Sequence, residues 1–568
     1  MGAAVPTLRQ RLVSAKLFVR HGLCWPTLAL LPHLAALAIM LLTEWTATAM
    51  TAFALAWGIL NFFWLALTRR PILSGVLSLS MMTVLVLLSQ LKYHVLLMTA
   101  NFVDLMIVDT DTVSFLFMIF PALRWVVGLS FVVLLPLIVI AWRLDPFRTH
   151  RLVATVLVVS CLGGLTALEM QFPMQPFEAW YGGNLVSSFA RSGVDAVAEL
   201  MTHGLMQSAA FAGDRLNPVG NTCVPTAKPP HIILIHDESS FDIRVAPGIK
   251  VPSGYGAHFK SFDGKERNFL VEGNGGPSWY TEYNVLEGLS ARSFGRFAFF
   301  VTRIAAGRVN RGLPTALQRC GYRTVSLYPA LGAFMSARSF QATTGVQRFY
   351  DQHDLGAREI EPDSFFFNAA ARMIAEQHDH GPMFVFVYLA ANHFPWNYRY
   401  RPDLMPQWKD PGNVAPVDEY LRRQAMSAKD YADFLARLKR EFPNESFLLV
   451  RFGDHQPDFA SFLIDPTLDD NGIAQRLMAY DPRYFTTYYA IDAVNFRPVD
   501  LSSALDTLEG PYLPLVVQEA AGIPLDSSFA EQKNILFRCN GLFYGCADGA
   551  EARRFNRMLI DAGLIKNL

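Results

Sequence analysis

The chain has 568 residues, of which 52% are hydrophobic and 17% charged, and its 49 acids balance its 49 bases. A neutral chain without a basic block excludes an electrostatic polyanion binder, so no nucleic-acid partner is expected. The apolar excess is concentrated in the first third, which excludes a protein that is soluble throughout.

Residues 1–23 carry Arg9, Arg11, Lys16 and Arg20 ahead of a full-length apolar run with no small-residue cleavage site, so they read as a retained cytoplasmic segment rather than a cleaved signal. Five runs are long enough to cross a bilayer as helices: 24–45, 48–68, 71–92, 124–142 and 152–171. The basic loops Arg69-Arg70 and Arg143–Arg151 set these on the cytoplasmic side. With an odd number of spans, everything after about residue 172 is then extracytoplasmic. Segment 93–123 is apolar but holds Asp104, Asp109 and Asp111, too many carboxylates for a lipid-facing span; it reads as an interfacial or re-entrant piece on the outer face. Within the five-span domain 24–171, His33 is the main ionisable group and reads as a packed structural histidine. So little intramembrane charge argues against a channel or proton-coupled transporter and for an anchor that presents lipid.

Residues 172–229 read as a linker with helical stretches, ending in a Pro-rich segment. In 230–568, short continuous aliphatic runs recur at His231–Asp237, Thr324–Tyr328, Met383–Leu389 and Ser446–Phe452. Helix-like stretches separate them, such as 364–377 and 427–441. Buried strands alternating with helices imply a largely parallel sheet covered by helices, with sites beyond the carboxyl ends of the strands. Of six cysteines, Cys24 and Cys161 lie in or beside membrane runs. Cys539 and Cys546, closing a short loop, are the favoured pair if this domain faces an oxidising compartment, the rival being free buried thiols.

Two strand ends are rich in ligand chemistry: Asp237-Glu238 after the first and Gly453-Asp454-His455 after the fourth. Acids and an imidazole from separate strands suit Zn²⁺ or Mn²⁺ with an open position, although a lone strand-end Asp is more often a helix cap. The stretch from Gly273 to Leu289 is a glycine-rich turn running into an apolar-periodic helix, with Pro277 and Ser278 at its start. Unpaired N–H groups there bind phosphate oxygens, and a hydroxyl among them is poised as a nucleophile; the competing reading is that Ser278 only caps the helix. His393, in Asn392-His-Phe-Pro395, follows the third strand and could protonate a leaving alkoxide; alone it would be structural.

Taken in order, Ile233-Leu-Ile-x-x-Glu-Ser239, the Gly-rich turn with its Glu-aromatic-x-Val-Leu-x-Gly-Leu helix, Asn-His-Phe-Pro and Gly-Asp-His resemble the lipoteichoic acid synthase and periplasmic-glucan phosphoglycerol transferase group of the alkaline phosphatase/sulfatase superfamily. The resemblance spans about residues 231–460. It implies an alkaline phosphatase/sulfatase-like α/β fold. It further implies one divalent metal held by Glu238, Ser278, Asp454 and His455, with Ser278 carrying a covalent phospho-intermediate. His393 and Arg338 would contact substrate phosphate, and Asp237 and Thr281 are secondary candidates. The expected chemistry is transfer of a phospho-alcohol from a membrane phospholipid to a glycan or glycolipid at a bacterial inner membrane. Two departures stand out. The nucleophile position holds Ser278 where these transferases usually have Thr, with Thr281 nearby as a rival, and the Gly-Glu-Thr-x-Arg pattern of phosphoethanolamine transferases is absent. Alternatives of other classes are a phosphate or sulfate ester hydrolase and a catalytically silent lipid-binding regulator of the same fold; the four retained ligand positions argue against the regulator.

Overall fold

A computed structural model describes residues 25–96, 98–107, 113, 116–117, 120–174, 182–213, 215–217, 223, 225 and 228–568. The N-terminal bases, Cys24, Asp109 and Asp111 lie outside the described residues. The chain divides into two units, Met1–Met201 and Thr202–Leu568.

In the first unit the five apolar runs fold as helices α1 (Trp25–Thr43), α2 (Ala47–Thr68), α3 (Pro71–Leu96), α4 (Ala122–Leu144) and α5 (Arg151–Gln171). Helices α2 to α5 are long and apolar enough to cross a membrane, whereas the apolar helix Thr27–Thr43 within α1 is shorter. This is a membrane protein. Where hydrophobicity cannot drive helices together, close approach does: Gly58 of α2 faces Cys161 of α5 so tightly that a Cβ would lie 2.7 Å from its sulfur. His33 is packed as expected, accepting a hydrogen bond at 3.1 Å from Trp57 Nε1.

Part of the expected linker is a further helix, α6 (Leu185–His203). Its start is fastened by Glu44, which accepts from the Val186 N–H at 3.1 Å, as a carboxylate at a helix N-terminus should. One turn on, Arg191 pairs with Glu169 of α5. Asp104, on the short turn Phe102–Ile107, is neutralised by Lys92 at 2.8 Å, which allows that acid to sit against the bundle.

The second unit is built on one eight-stranded sheet: β1 (His231–Asp237), β2 (Arg267–Leu270), β3 (Arg323–Leu327), β4 (Arg348–Tyr350), β5 (Met383–Tyr388), β6 (Phe447–Gly453), β7 (Thr486–Val494) and β8 (Thr507–Glu509), in the order β4-β3-β5-β1-β6-β7-β2-β8. The sheet is mixed because β7 runs antiparallel to both neighbours; every other described pairing is parallel. On one face Ile233, Ile235, Val385 and Leu449 pack against Phe366, Ile374, Phe434 and Leu438 of the covering helices Asp363–Gln377 and Ala415–Glu441. Fully burying each such side chain contributes about 1.5–3 kcal/mol.

The central register positions the site. His236 pairs with Tyr388 of β5 and Asp237 with Gly453 of β6, so three strand ends finish level. Gly453 is required there: a Cβ on it would lie 1.8 Å from the Ser240 carbonyl oxygen. Two disulfides staple the unit, Cys539–Cys546 as expected and Cys223–Cys320, which the sequence did not indicate; Cys161 is free.

Candidate metal centre and nucleophile

Because successive strand residues face opposite sides, β1 delivers its residues in two directions. His236 and Glu238 face one side and Asp237 the other. On the first side, one ligand atom each from His236, Glu238 and Asp454 lie within 4.8 Å of one another, all buried. His236 Nε2 is 3.0 Å from Asp454 Oδ2, and its ring stacks on Tyr388 with centroids 3.7 Å apart. His455 Nε2 joins the group, 3.4 Å from both Glu238 Oε1 and Asp454 Oδ2.

Helix α7 (Ser278–Glu287) aims its first residue here. The turn before it needs Gly275 at φ +70°, where its N–H donates to the Gln456 carbonyl at 3.0 Å. Ser278 Oγ is 3.4 Å from Glu238 Oε2 and 3.2 Å from His455 Nε2, and no side chain caps this helix start. The hydroxyl therefore faces the cluster rather than its own helix. Thr281 is spoken for: its hydroxyl donates to the Asp454 carbonyl at 2.6 Å.

Several features fit a cation. Asp454 Oδ1 accepts from the N–H groups of Ser239 at 2.7 Å and His455 at 2.9 Å, which leaves its buried Oδ2 turned to the ring nitrogens of His236 and His455, while His236 Nδ1 has no hydrogen-bond partner among the described residues. Unpaired buried polar atoms of this kind are costly unless something binds them. His455 Nδ1 contacts the Gln456 carbonyl at 2.8 Å; a carbonyl only accepts, so Nδ1 carries a proton and Nε2 is the nitrogen turned to the cluster. Burial would raise Asp454, yet His455 and His236 hold it well below the usual carboxylate range. Burial lowers His455, but Asp454 and Glu238 push it up to about 9. The two shifts are one attraction seen from both partners: carboxylate and imidazole each favour the other's charged form.

The other predicted residues lie apart. Asp237 Oδ2 contacts His258 Nε2 at 2.9 Å and accepts from Tyr488, within a buried network that includes Arg451; strand alternation turns it away from the cluster. Arg338 is half-exposed and held by Asp351 at 2.8 Å and Asp354 at 2.9 Å. His393 is half-buried, its Nδ1 on the Phe394 carbonyl at 2.8 Å, and buried Arg423 grips the same turn through the His393 carbonyl at 2.7 Å and the Pro395 carbonyl at 2.9 Å. Among the described residues no hydrogen bond joins Arg338 or His393 to the cluster. Conversely, His236 and Tyr388, whose hydroxyl donates to Glu238 Oε2 at 3.2 Å, were missed. Both sit inside strands, where they read as core; the period-two spacing of His236 from Glu238 is the signal that could have found it.

Residues 280–495 match the family model described as Sulfatase. That stretch lies wholly within the second unit. The matched stretch includes Thr281, Arg338, His393, Asp454 and His455, and begins just after Ser278. Similar solved structures include the lipoteichoic acid synthase LtaP of Listeria monocytogenes (15% identity, 55% of this chain and 76% of that one, TM-score 0.40). Another is the Streptococcus pyogenes phosphoglycerol transferase GacH in complex with sn-glycerol-1-phosphate (14% identity, 61% and 88%, TM-score 0.44). A third is the integral membrane lipooligosaccharide phosphoethanolamine transferase A of Neisseria meningitidis (13% identity, 84% and 96%, TM-score 0.45). No curated protein matches the sequence.

Proposed function

We propose that this chain is a membrane-anchored, metal-dependent phosphotransferase that moves a phospho-alcohol headgroup, phosphoglycerol or phosphoethanolamine, from a phospholipid to an extracytoplasmic glycan or glycolipid. The observation that carries this reading is the convergence of Ser278 Oγ with Glu238 and His455, beside the buried ligand atoms of His236 and Asp454. The match to the sulfatase family model, the order of the sequence motifs and the apolar helices support it.

Glu238, Asp454, His455 and Ser278 would hold one Zn²⁺ or Mn²⁺, with His236 as a further ligand position. A bound divalent ion would supply charge stabilisation at the phosphoryl oxygens and lower the pKa of a nearby hydroxyl. The chain's own groups do the rest. The positive end of the α7 dipole favours the phosphate, the Ser278 and Tyr280 N–H groups themselves donating to the Gly276 and Pro277 carbonyls at 2.9 and 3.0 Å. Ser278 Oγ attacks phosphorus, displacing diacylglycerol; Glu238 Oε2, to which it donates, is the nearest carboxylate to accept its proton. With Nδ1 donating to the Phe394 carbonyl, His393 as the imidazolium would give its Nε2 proton to the leaving alkoxide and, then neutral, take one back from the attacking alcohol, while Glu238 returns its proton to the Ser278 oxygen. For Arg338 to clamp phosphate oxygens bidentately it must exchange Asp351 and Asp354 for them. The five-helix bundle, its cytoplasmic N-terminus and placement of residues 230–568 outside an inner membrane complete the reading; two disulfides agree with an oxidising compartment.

The test is turnover of labelled phosphatidylglycerol and phosphatidylethanolamine by the full chain in vesicles, with and without glycan, together with mass spectrometry of Ser278. A headgroup-sized adduct on Ser278 that chases onto glycan is the expected result. Release to water alone would make the protein a hydrolase, and full turnover in Ser278→Ala would remove this serine from the chemistry.

A further inference from the structure

Among the described residues, the membrane unit leaves a space that side chains do not fill. A groove of about 830 Å³ runs between α1, α3 and α4, walled by residues such as Leu31 and Ala35, Val76 and Leu87, and Val133 and Leu137. Leu31, Leu87, Val133 and Leu137 are each about half exposed, so the groove opens sideways to its surroundings, which in a bilayer are acyl chains. Three hydroxyls lie in the wall, yet each is satisfied within its own helix: Ser80 donates to Val76 O at 2.8 Å, Thr83 to Leu79 O at 2.8 Å and Ser130 to Val126 O at 2.7 Å. The groove therefore offers a ligand no polar contact along its length. From Ile72 to Leu87 it follows α3 for about 22 Å of helix rise. One leaflet's share of the hydrocarbon core is about 15 Å, so a whole acyl chain fits lengthwise.

One end of the groove is strongly basic. Ile72 and Ala141 line it there, next to the loops that carry Arg69, Arg70, Arg143, Arg148 and Arg151. Arg70 lies over the Trp142 ring at 4.8 Å and donates to the carbonyls of Trp142 and Asp145. The one acid in these loops, Asp145, spends its carboxylate on the start of α3, accepting from the N–H groups of Ile72 at 2.8 Å and Leu73 at 3.2 Å. Arg69, Arg143, Arg148 and Arg151 are exposed around the mouth.

We propose that this groove is a binding site for an acyl chain of an anionic phospholipid, with its headgroup among these arginines. The arginine end is opposite to the one at which the chain leaves the bundle at Gln171, so this lipid is distinct from a donor consumed beyond that exit. The inference does not depend on the proposed transferase reading, and its test reads lipid rather than turnover.

The experiment is native mass spectrometry of the full chain released from nanodiscs of mixed phosphatidylglycerol and phosphatidylcholine, with lipid extraction to count retained species. Wild type is expected to keep phosphatidylglycerol in preference to phosphatidylcholine. Arg143→Gln and Arg148→Gln should each lower that preference about fivefold while leaving total lipid unchanged. Ala35→Trp, and independently Val133→Phe from the facing helix, should lower total retained lipid. Circular dichroism and a monodisperse gel-filtration peak establish that each variant is folded. Retention without headgroup preference, a groove filled by a second copy of the chain and seen as dimer mass, or filled-groove variants that keep wild-type lipid would each overturn the proposal.

Discussion

Gly453→Ala tests whether strand convergence makes the candidate site. The added methyl would sit 1.8 Å from the Ser240 carbonyl oxygen, a backbone atom that cannot rotate aside. To reach even an uncomfortable contact, the end of β6 must move by roughly 1 Å, the scale at which misplaced reacting groups lose about 100-fold in rate. That shift strains the Ser239 N–H bond to Asp454, 2.7 Å at present, and opens the 3.4 Å approaches between His455, Asp454 and Glu238. Overpacking adds about 1–3 kcal/mol of destabilisation. The assay is headgroup transfer in vesicles together with metal content of the purified chain, and urea unfolding for stability. Gly163→Ala, where a Cβ meets nothing within 4 Å, is the control and should match wild type. A Gly453→Ala protein with wild-type metal content and turnover would refute the idea that these strand ends set the geometry.

Arg423→Met should cost about 3–5 kcal/mol by urea unfolding, because it removes charged donors from the buried carbonyls of His393 and Pro395 and from Glu419; Arg440→Gln, on the exposed part of the same helix, should cost less than about 0.5 kcal/mol. Thr281→Val should lose about 1 kcal/mol with its bond to the Asp454 carbonyl yet keep turnover, whereas a loss as complete as in Ser278→Ala would move the nucleophile. Burial, with Asp237 nearby, raises Asp363 to about 8, so folding takes up a proton between the ordinary carboxylate range and that value. Its contribution to stability is therefore fully present below about pH 4 and is lost as pH rises toward 8; Asp363→Asn should flatten the melting-temperature profile between pH 5 and 8. Reducing Cys223–Cys320, which closes a loop with a separation of 97, should cost about 5 kcal/mol against about 2.5 kcal/mol for Cys539–Cys546 with a separation of 7; single-bridge Ser variants compared by thermal unfolding decide it.

The aliphatic runs announced β1, β3, β5 and β6 because a strand buried on both faces has no polar residue to spare. Strands β2, β4 and β8 are too short to leave a pattern, and β7 carries polar and aromatic residues that concealed it. Glu238, Ser278, Asp454 and His455 stood out as polar residues just past strands or a glycine turn, and the fold brings them together. Tyr388 did not, since nothing in a linear reading separates it from a core side chain, and His236 is marked only by its spacing of two from Glu238. Helix α6 falls in the stretch expected to be a linker with helical parts; what the sequence does not show is its anchoring by Glu44 and Glu169, which come from distant spans.

Neighbouring acids at the tip of β1 serve unrelated ends: Glu238 looks toward the serine, Asp237 toward His258 and Tyr488. Deleting or inserting one residue within this strand would exchange those outlooks in a single stroke. The shorter acid would then face the hydroxyl, and the longer one would be driven into a space already closed by aromatic rings. Changes of chain length are thus confined to the loops around the strand, and any variation in chemistry must come by substitution at fixed positions.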